Sequence, residues 1–362
     1  MNMISVLADE NISNLGDYLR CHQDVRFITI KGRDINQQSL DKYRPDALFI
    51  RSVTPIKPSL DLAGVKFVGS ATIGTDHVDA QFLAEQNIRF ANAVGCSKHS
   101  VAQYVLTAIG KLRPNAALSP VRLGIIGLGN IGSTLAGYAK DLGWQVAGYD
   151  PFLPASAINN SDLPTLLQTS DVISLHTPLT RTGEYPTFGL MNREHLAQLK
   201  PNALLINSAR GEIIKEADLI AAIDEQNLQV VLDVFPHEPV VSAKLCERLS
   251  LATPHIAGYT TEGKLRGTDM IYRAFCEHFG LPVLQNMDNL LAPSPYQWQD
   301  IKRHWQAAAK SGAPDALTPF YDIGADDASL RAVCTAGLAD GEQAAAFDRL
   351  RKEYPLRREW LY

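Results

Sequence analysis

The sequence predicts an α/β protein with two lobes on doubly wound parallel sheets, followed by a smaller C-terminal domain. Short apolar runs alternate with helical patterns up to Gly280, which is typical of parallel strands connected by helices. A glycine-rich turn at 127–132 lies between a strand pattern and a helix pattern. Beyond Gly280 proline and turn residues become frequent, which indicates an appended unit.

Length and composition exclude several classes of protein. The chain has 362 residues, of which 46% are hydrophobic and 20% charged, as in globular proteins of two or three domains. A formal net charge of −5 argues against nucleic-acid or anionic-membrane partners, and no apolar run approaches the roughly 20 residues that span a bilayer. The five cysteines are far apart and form no CxxC pair. We therefore expect a cytoplasmic protein without a disulfide framework or a bound metal.

The first lobe is predicted from four strand patterns. They are ISVLA at 4–8, ALFIRS at 47–52, KFVGSA at 66–71 and IRFANA at 88–93. A helix at 100–112, whose apolar residues fall on one face, leads into the next lobe.

The second lobe is predicted from five strand patterns with short helical crossovers, which indicates a doubly wound sheet. The strands are VRLGIIG at 121–127, WQVAGYD at 144–150, DVISLHT at 171–177, ALLINSA at 203–209 and QVVLDVF at 229–235. A helical segment from about 260 to Phe279 follows.

The C-terminal segment, residues 281–362, has only weak periodicity, and we expect it to form a small α+β domain. A disordered tail is the alternative. Trp298, Trp305 and Trp360 indicate a packed domain, because disordered segments are poor in large aromatic residues.

The glycine-rich turn, GLGNIG, is suited to binding a dinucleotide. Its glycines allow a tight turn and let a pyrophosphate approach the free N–H groups at the start of a helix. The residues assigned to this loop are Gly127, Gly129, Asn130, Ile131 and Gly132. Asp150 ends the next strand, where it can accept both adenosine-ribose hydroxyls and would repel a 2′-phosphate, so NAD is favoured over NADP. The alternative is a structural turn with a solvated Asp150.

Three further strand ends carry polar groups that suit acid–base chemistry. Arg210 lies in INSARG, Glu238 in LDVFPHEP and His255 in TPHIAG. Singly, each has an ordinary explanation, as an ion-pair partner, a turn residue or a loop histidine. A histidine can take a proton near neutral pH, a carboxylate can stabilise the imidazolium that forms, and an arginine can anchor a carboxylate.

These motifs, in this order, resemble the D-isomer-specific 2-hydroxyacid dehydrogenases over roughly residues 45–275. The resemblance implies a flavodoxin-like catalytic lobe (1–98 plus 259–280) and a Rossmann cofactor lobe (99–258) that binds NAD. It also implies that Arg210 binds the substrate carboxylate, His255 is the acid/base and Glu238 orients His255. The further cofactor contacts that it implies are Thr177, Ser208, Ala209, Arg210, Asp233 and Gly258.

A finer resemblance concerns the substrate. The loop GSATIGTDHVD at 69–79, the segment HIAGYTTEGK at 255–264, RSVTPI at 51–56 and the ending FDRLRKEYPLRREW are similar to members that oxidise 4-phospho-D-erythronate in vitamin B6 biosynthesis. This implies substrate contacts at Ser52, Thr72 and Tyr259, and a homodimer formed through 281–362. The resemblance does not identify the residue that binds the phosphate of the substrate. The cationic candidates are Arg51, Lys264, Arg266, Arg349, Arg351, Arg357 and Arg358.

Two alternatives remain at this point. The same catalytic residues would serve another D-2-hydroxy acid, such as 3-phosphoglycerate. A non-enzymatic NAD-sensing binding protein could also retain the fold and the three polar groups.

Overall fold

A computed structural model describes residues 3–362, which fold into two compact units. The first contains the residues up to Ser97 together with Thr260–Pro293, and the second contains Lys98–Tyr259 together with Ser294–Tyr362. No helix within 3–362 is both long enough and apolar enough to cross a membrane.

The strands and helices follow one another in an alternating order. The strands are β1 (Ile4–Asp9), β2 (Val25–Ile30), β3 (Ala47–Ile50), β4 (Phe67–Ser70), β5 (Arg89–Asn92), β6 (Arg122–Ile126), β7 (Gln145–Tyr149), β8 (Val172–Leu175), β9 (Leu204–Asn207), β10 (Gln229–Leu232) and β11 (Leu251–Ala252). The helices are α1 (Leu15–Leu19), α2 (Gln37–Tyr43), α3 (Ala80–Glu85), α4 (Lys98–Leu112), α5 (Asn130–Asp141), α6 (Leu163–Thr169), α7 (Arg193–Ala197), α8 (Glu216–Gln226), α9 (Ala243–Cys246), α10 (Thr261–Phe279), α11 (Met287–Leu290), α12 (Trp298–Ser311), α13 (Ile323–Thr335) and α14 (Asp340–Lys352).

The first unit is built on a parallel sheet in the order β2-β1-β3-β4-β5, which is the flavodoxin-like order. Helix α10 packs on it with its apolar face, and Phe275 lies against the rings of Phe49 and Phe67 at centroid distances of 5.4 and 5.8 Å. Strand β2 was not among the predicted strands. It is an edge strand with several partly exposed residues, so its apolar pattern is weak.

The second unit is built on a parallel sheet in the order β11-β10-β9-β8-β6-β7. The order reverses between β6 and β8, and in such sheets ligands bind at the carboxyl ends of the strands at this point. The five predicted strands all form, and the two-residue β11 is an addition that was too short to predict. The predicted two-lobed α/β architecture is confirmed.

The C-terminal region is helical. Within residues 294–362 the structure has α12, α13 and α14 but no strand, and one isolated bridge joins Gln297 to Leu361. The expected α+β character is therefore replaced by helices, because the apolar side chains of α12 are spaced to face one surface. Our boundary of 281–362 for a separate domain stays a prediction; residues 281–293 group with the first unit and residues 294–362 with the second.

Tryptophans hold this region on the second unit. Trp298, Trp305 and Trp360 are all buried in one core cluster with side chains of α4 and α5. Trp298 and Trp360 stack at 5.9 Å, and the Trp298 indole donates to Asp141 at 3.1 Å. The expectation that these tryptophans pack, and do not lie in a disordered tail, is confirmed.

Candidate active site

The loops that follow β9 and β10 pack directly against each other. A Cβ on Gly211 would lie 2.0 Å from the carbonyl carbon of Phe235, so only glycine fits at this position. This close approach brings the predicted catalytic residues of separate loops together. Arg210, Glu238 and His255 line a single pocket.

His255 and Glu238 form a hydrogen-bonded pair. The distance from His255 Nδ1 to Glu238 Oε2 is 2.7 Å, and the other carboxylate oxygen accepts the Phe235 backbone N–H at 2.8 Å. Burial raises the pKa of Glu238, but His255, the two hydrogen bonds and the charge of Arg351 outweigh burial, so this pKa lies below its usual range. Glu238 is therefore ionised at neutral pH and leaves Nε2 of His255 as the nitrogen that can exchange a proton.

Asp233 fixes the segment that carries His255. Its carboxylate accepts the backbone N–H groups of Ile256 and Ala257 at 2.8 and 2.9 Å and the Thr253 hydroxyl at 2.6 Å. His255 itself has a φ of 57°, in the left-handed region that non-glycine residues adopt only when their surroundings impose it. The surrounding hydrogen bonds thus set the direction of the imidazole.

Arg357, in the C-terminal region, contacts the same segment through its carbonyl groups. Its guanidinium donates to Ala257 O at 2.7 Å and to Ile256 O at 3.3 Å, and stacks 3.9 Å over the centre of the Tyr321 ring. Asp326 accepts the Tyr321 hydroxyl at 2.8 Å beside it. The sequence predicts Arg357 only as a candidate ligand of the substrate phosphate, because no local signal indicates a partner one hundred residues away.

Arg210 begins a short 3-10 helix at the end of β9. Its guanidinium donates to the Ala209 carbonyl at 2.7 Å, and its own carbonyl accepts the Asn207 side-chain N–H at 2.8 Å. The Asn207 side chain also accepts a hydrogen bond from the Ala209 backbone N–H at 3.0 Å. Its two hydrogen bonds therefore fix the backbone of Ala209 and Arg210. The arginine is thereby held at the rim of the pocket that contains His255.

The glycine-rich loop has the geometry of a dinucleotide site. Gly127 has a φ of 91°, and a Cβ there would lie 2.9 Å from the Thr177 backbone nitrogen, so the loops after β6 and β8 touch. A Cβ on Gly132 would lie 2.1 Å from Gly127 O, whereas one on Gly129 would meet nothing within 4 Å. The loop therefore packs against the protein at Gly127 and Gly132, whereas there is free space beside Gly129. Helix α5 begins at the next residues, Asn130 and Ile131.

The residues around this loop fit NAD. Asp150 accepts the Leu128 N–H at 3.0 Å and the Phe152 N–H at 3.1 Å, which fixes its carboxylate beside the loop with acceptor capacity to spare for ribose hydroxyls. The hydroxyl oxygens of Thr177 and Ser208 are buried and have no hydrogen-bond partner. Buried polar atoms are normally satisfied, so these two indicate a polar ligand at the strand ends. Gly258 follows His255 in the segment that Asp233 and Arg357 hold.

The predicted substrate residues lie in both units. In the first, Ser52 is exposed just after β3, and the Thr72 hydroxyl lies 2.9 Å from that of Ser70. His77 contacts Ser70 in its own loop at 3.1 Å. In the second, the Tyr259 ring packs edge-on against Tyr354 at 5.9 Å.

Sequence comparisons identify relatives over nearly the whole chain. A family model described as "D-isomer specific 2-hydroxyacid dehydrogenase, NAD binding domain" matches residues 101–257, and a domain of unknown function matches residues 293–361. The erythronate-4-phosphate dehydrogenase of Psychrobacter cryohalolentis is 51% identical over 99% of this chain and 98% of its own length. One from Acinetobacter baumannii is 44% identical with the same coverage.

Solved structures show the same fold. The NAD⁺-bound 3-phosphoglycerate dehydrogenase of Entamoeba histolytica aligns with a TM-score of 0.66 and 24% identity, over 77% of this chain and 96% of that one. The D-lactate dehydrogenase of Aquifex aeolicus, complexed with NAD and lactic acid, aligns with a TM-score of 0.63 and 22% identity, over 80% and 100%.

The fold and these matches define an NAD-dependent D-isomer-specific 2-hydroxyacid dehydrogenase, with NAD as its cofactor. The chain belongs to the erythronate-4-phosphate dehydrogenase family. The resemblance inferred from the motifs is thereby confirmed, and so is the prediction of an NAD-dependent dehydrogenase.

Proposed function

We propose that this enzyme oxidises 4-phospho-D-erythronate to 2-oxo-3-hydroxy-4-phosphobutanoate, with NAD⁺ reduced to NADH. The names of the full-length relatives support the substrate. The observation that carries the mechanism is the 2.7 Å bond between His255 Nδ1 and Glu238, in a pocket that Arg210 also lines.

His255 acts as the base in this proposal. Its Nε2 takes the proton of the C2 hydroxyl, and the adjacent carboxylate of Glu238 stabilises the imidazolium that results. NAD⁺, when bound, accepts the hydride that leaves C2. The reverse reaction uses the same proton from His255, so the step balances in both directions.

Arg210 anchors the substrate. Its guanidinium binds the C1 carboxylate and polarises the C2 oxygen, as suits a planar donor beside a carboxylate. Ser52, Thr72 and Tyr259 remain our assigned substrate contacts. The residues assigned to the cofactor are the glycine-rich loop, Asp150, Thr177, Ser208, Ala209, Arg210, Asp233 and Gly258.

We further propose a cytoplasmic homodimer, formed through the C-terminal region, that acts in pyridoxal 5′-phosphate biosynthesis. The name of the relatives supports the pathway. The cytoplasmic location is supported by the cysteines, none of which forms a disulfide within residues 3–362. Sedimentation equilibrium of the full chain tests the dimer, and a monomer at micromolar concentration would contradict it.

The substrate is tested by initial rates of NADH formation on a panel of D-2-hydroxy acids: 4-phosphoerythronate, 3-phosphoglycerate, glycerate and lactate. We expect a strong preference for the first. A preference for 3-phosphoglycerate would retain the mechanism and reject the substrate.

The role of His255 is tested by His255→Gln, which we expect to lower kcat by about 10²- to 10⁴-fold while NADH still binds. The matched control is His304→Gln, an exposed histidine on α12. Wild-type turnover in His255→Gln would reject the assigned base.

A further inference from the structure

Arg351, near the end of α14, has a guanidinium that no carboxylate contacts as an ion pair. Among residues 3–362 it makes no hydrogen bond and no ion pair, and its Nε is buried without a partner. Arg351 as a whole is half-buried, but a buried N–H donor without an acceptor is costly, and proteins normally satisfy such groups.

The guanidinium lies beside residues of the candidate active site. Its central carbon is 5.8 Å from the centre of the Tyr259 ring, four residues after His255, and 6.0 Å from that of Phe347. Its charge also contributes to lowering the pKa of Glu238, the partner of His255. The cation is thus close to Tyr259, in the segment that follows His255.

Other arginines of the C-terminal region are already committed or exposed. Arg331 pairs with Asp327 at 2.8 Å. Arg357 donates to two carbonyl groups through Nη2, although its Nη1 is also buried without a partner. Arg349, two residues before Arg351 on the same helix, is exposed. Arg351 therefore combines partial burial, an unsatisfied donor, no hydrogen bond to the protein and closeness to Tyr259.

We propose that Arg351 binds the terminal phosphate of the substrate and so determines specificity for phosphorylated acids. This inference rests on the proposed function, in which Arg210 holds the carboxylate at the other end of the same molecule. In 4-phosphoerythronate the phosphate is bound to C4. This carbon is two carbons away from C2, whose hydroxyl gives its proton to His255 in the proposed mechanism. A guanidinium offers parallel N–H donors that match the oxygens of a phosphate.

The test compares a phosphorylated substrate with its unphosphorylated counterpart. In Arg351→Met we expect the KM for 4-phosphoerythronate to rise by about 10- to 100-fold, as for the loss of a charge-assisted hydrogen bond. We expect the slower oxidation of erythronate, which lacks the phosphate, to change at least about 10-fold less than that of 4-phosphoerythronate. Arg351→Lys should retain part of the effect, since it keeps the charge but not the planar donors. Arg349→Met is the matched control and should behave like the wild type.

A second measurement does not depend on the substrate. With NADH bound, inorganic phosphate should raise the melting temperature of the wild type and of Arg349→Met, but not that of Arg351→Met. If the wild type prefers 3-phosphoglycerate while this difference persists, the proposed substrate fails and the phosphate site stands. An equal loss on erythronate and 4-phosphoerythronate, or no loss on either, would overturn the phosphate site.

Discussion

The guanidinium of Arg357 donates a 2.7 Å hydrogen bond to the carbonyl oxygen of Ala257, two residues after His255. Asp233 accepts the N–H of the same residue at 2.9 Å. The segment that carries the proposed base is therefore held by a carboxylate through its N–H groups and by a guanidinium through its carbonyls. We therefore predict that Arg357 of the C-terminal region is a positioning residue of the candidate active site.

Replacing Arg357 should weaken catalysis more than cofactor binding. In Arg357→Ala we expect kcat to fall by about 10- to 100-fold, because the direction of His255 is no longer fixed, with little change in the dissociation constant of NADH. Added guanidinium should restore part of kcat, which a merely structural defect would not allow. Arg303→Met, from an exposed pair with Asp300, is the control. An unchanged kcat, or a loss that guanidinium does not repair, would contradict the positioning role.

Asp233 should make stability depend on pH. Burial raises the pKa of this carboxyl from 3.8 to about 6, despite three hydrogen bonds that favour the ionised form. The folded protein then holds the proton more tightly than the unfolded chain, so the contribution of Asp233 to the free energy of unfolding falls as pH rises through this range.

Urea unfolding of the wild type and Asp233→Asn measures this effect. Because asparagine does not titrate, we expect the difference in free energy of unfolding to move in favour of the variant by about 2–3 kcal/mol between about pH 4 and pH 7. The exposed Glu353→Gln should run parallel to the wild type. If the free energies of unfolding of Asp233→Asn and the wild type changed equally with pH, the carboxyl of Asp233 would not titrate in this range.

Asp150 should determine the choice of dinucleotide. Its carboxylate is fixed by the N–H groups of Leu128 and Phe152 beside the glycine-rich loop. In Asp150→Ala we expect kcat/KM for NAD⁺ to fall by about 10- to 100-fold and the ratio of NADP⁺ to NAD⁺ use to rise, since the repulsion of a 2′-phosphate is removed. Initial rates with both dinucleotides measure this ratio. The exposed Glu184→Gln is the control, and an unchanged ratio in Asp150→Ala would reject the assignment.

Trp305 should link the C-terminal region to the stability of the second unit. Its side chain is fully buried and packs edge-on against Trp144 at 6.1 Å. We expect Trp305→Ala to lower the free energy of unfolding by about 3–5 kcal/mol, as for large cavities in cores, measured by urea unfolding. Leu118→Ala, a residue with 45% of its surface exposed, should change it by less than about 1 kcal/mol. A small effect at Trp305 would mean that this region is only loosely attached.

Local pattern was sufficient for much of the architecture. Buried parallel strands are short, continuous apolar runs, and the glycine-rich turn and the strand-end motifs are contiguous in sequence. Arg210, Glu238 and His255 could be assigned to one site because the carboxyl ends of parallel strands meet at one edge of a sheet. The sequence did not predict edge strand β2 or the short β11, because half-exposed or two-residue strands have only a weak hydrophobic pattern.

The sequence by itself determined the α/β class, the dinucleotide loop and the candidate catalytic groups, because each depends on residues close together in the chain. Only the tertiary structure decided that the C-terminal region is helical and packs on the second unit. It also decided that Arg357 contacts the segment after His255 and that Arg351 lies near Tyr259. Those arginines are about one hundred residues from the groups they contact. Whether such an arginine is solvated, forms an ion pair or can bind a ligand depends on its burial in the folded protein. The local sequence pattern does not predict this burial.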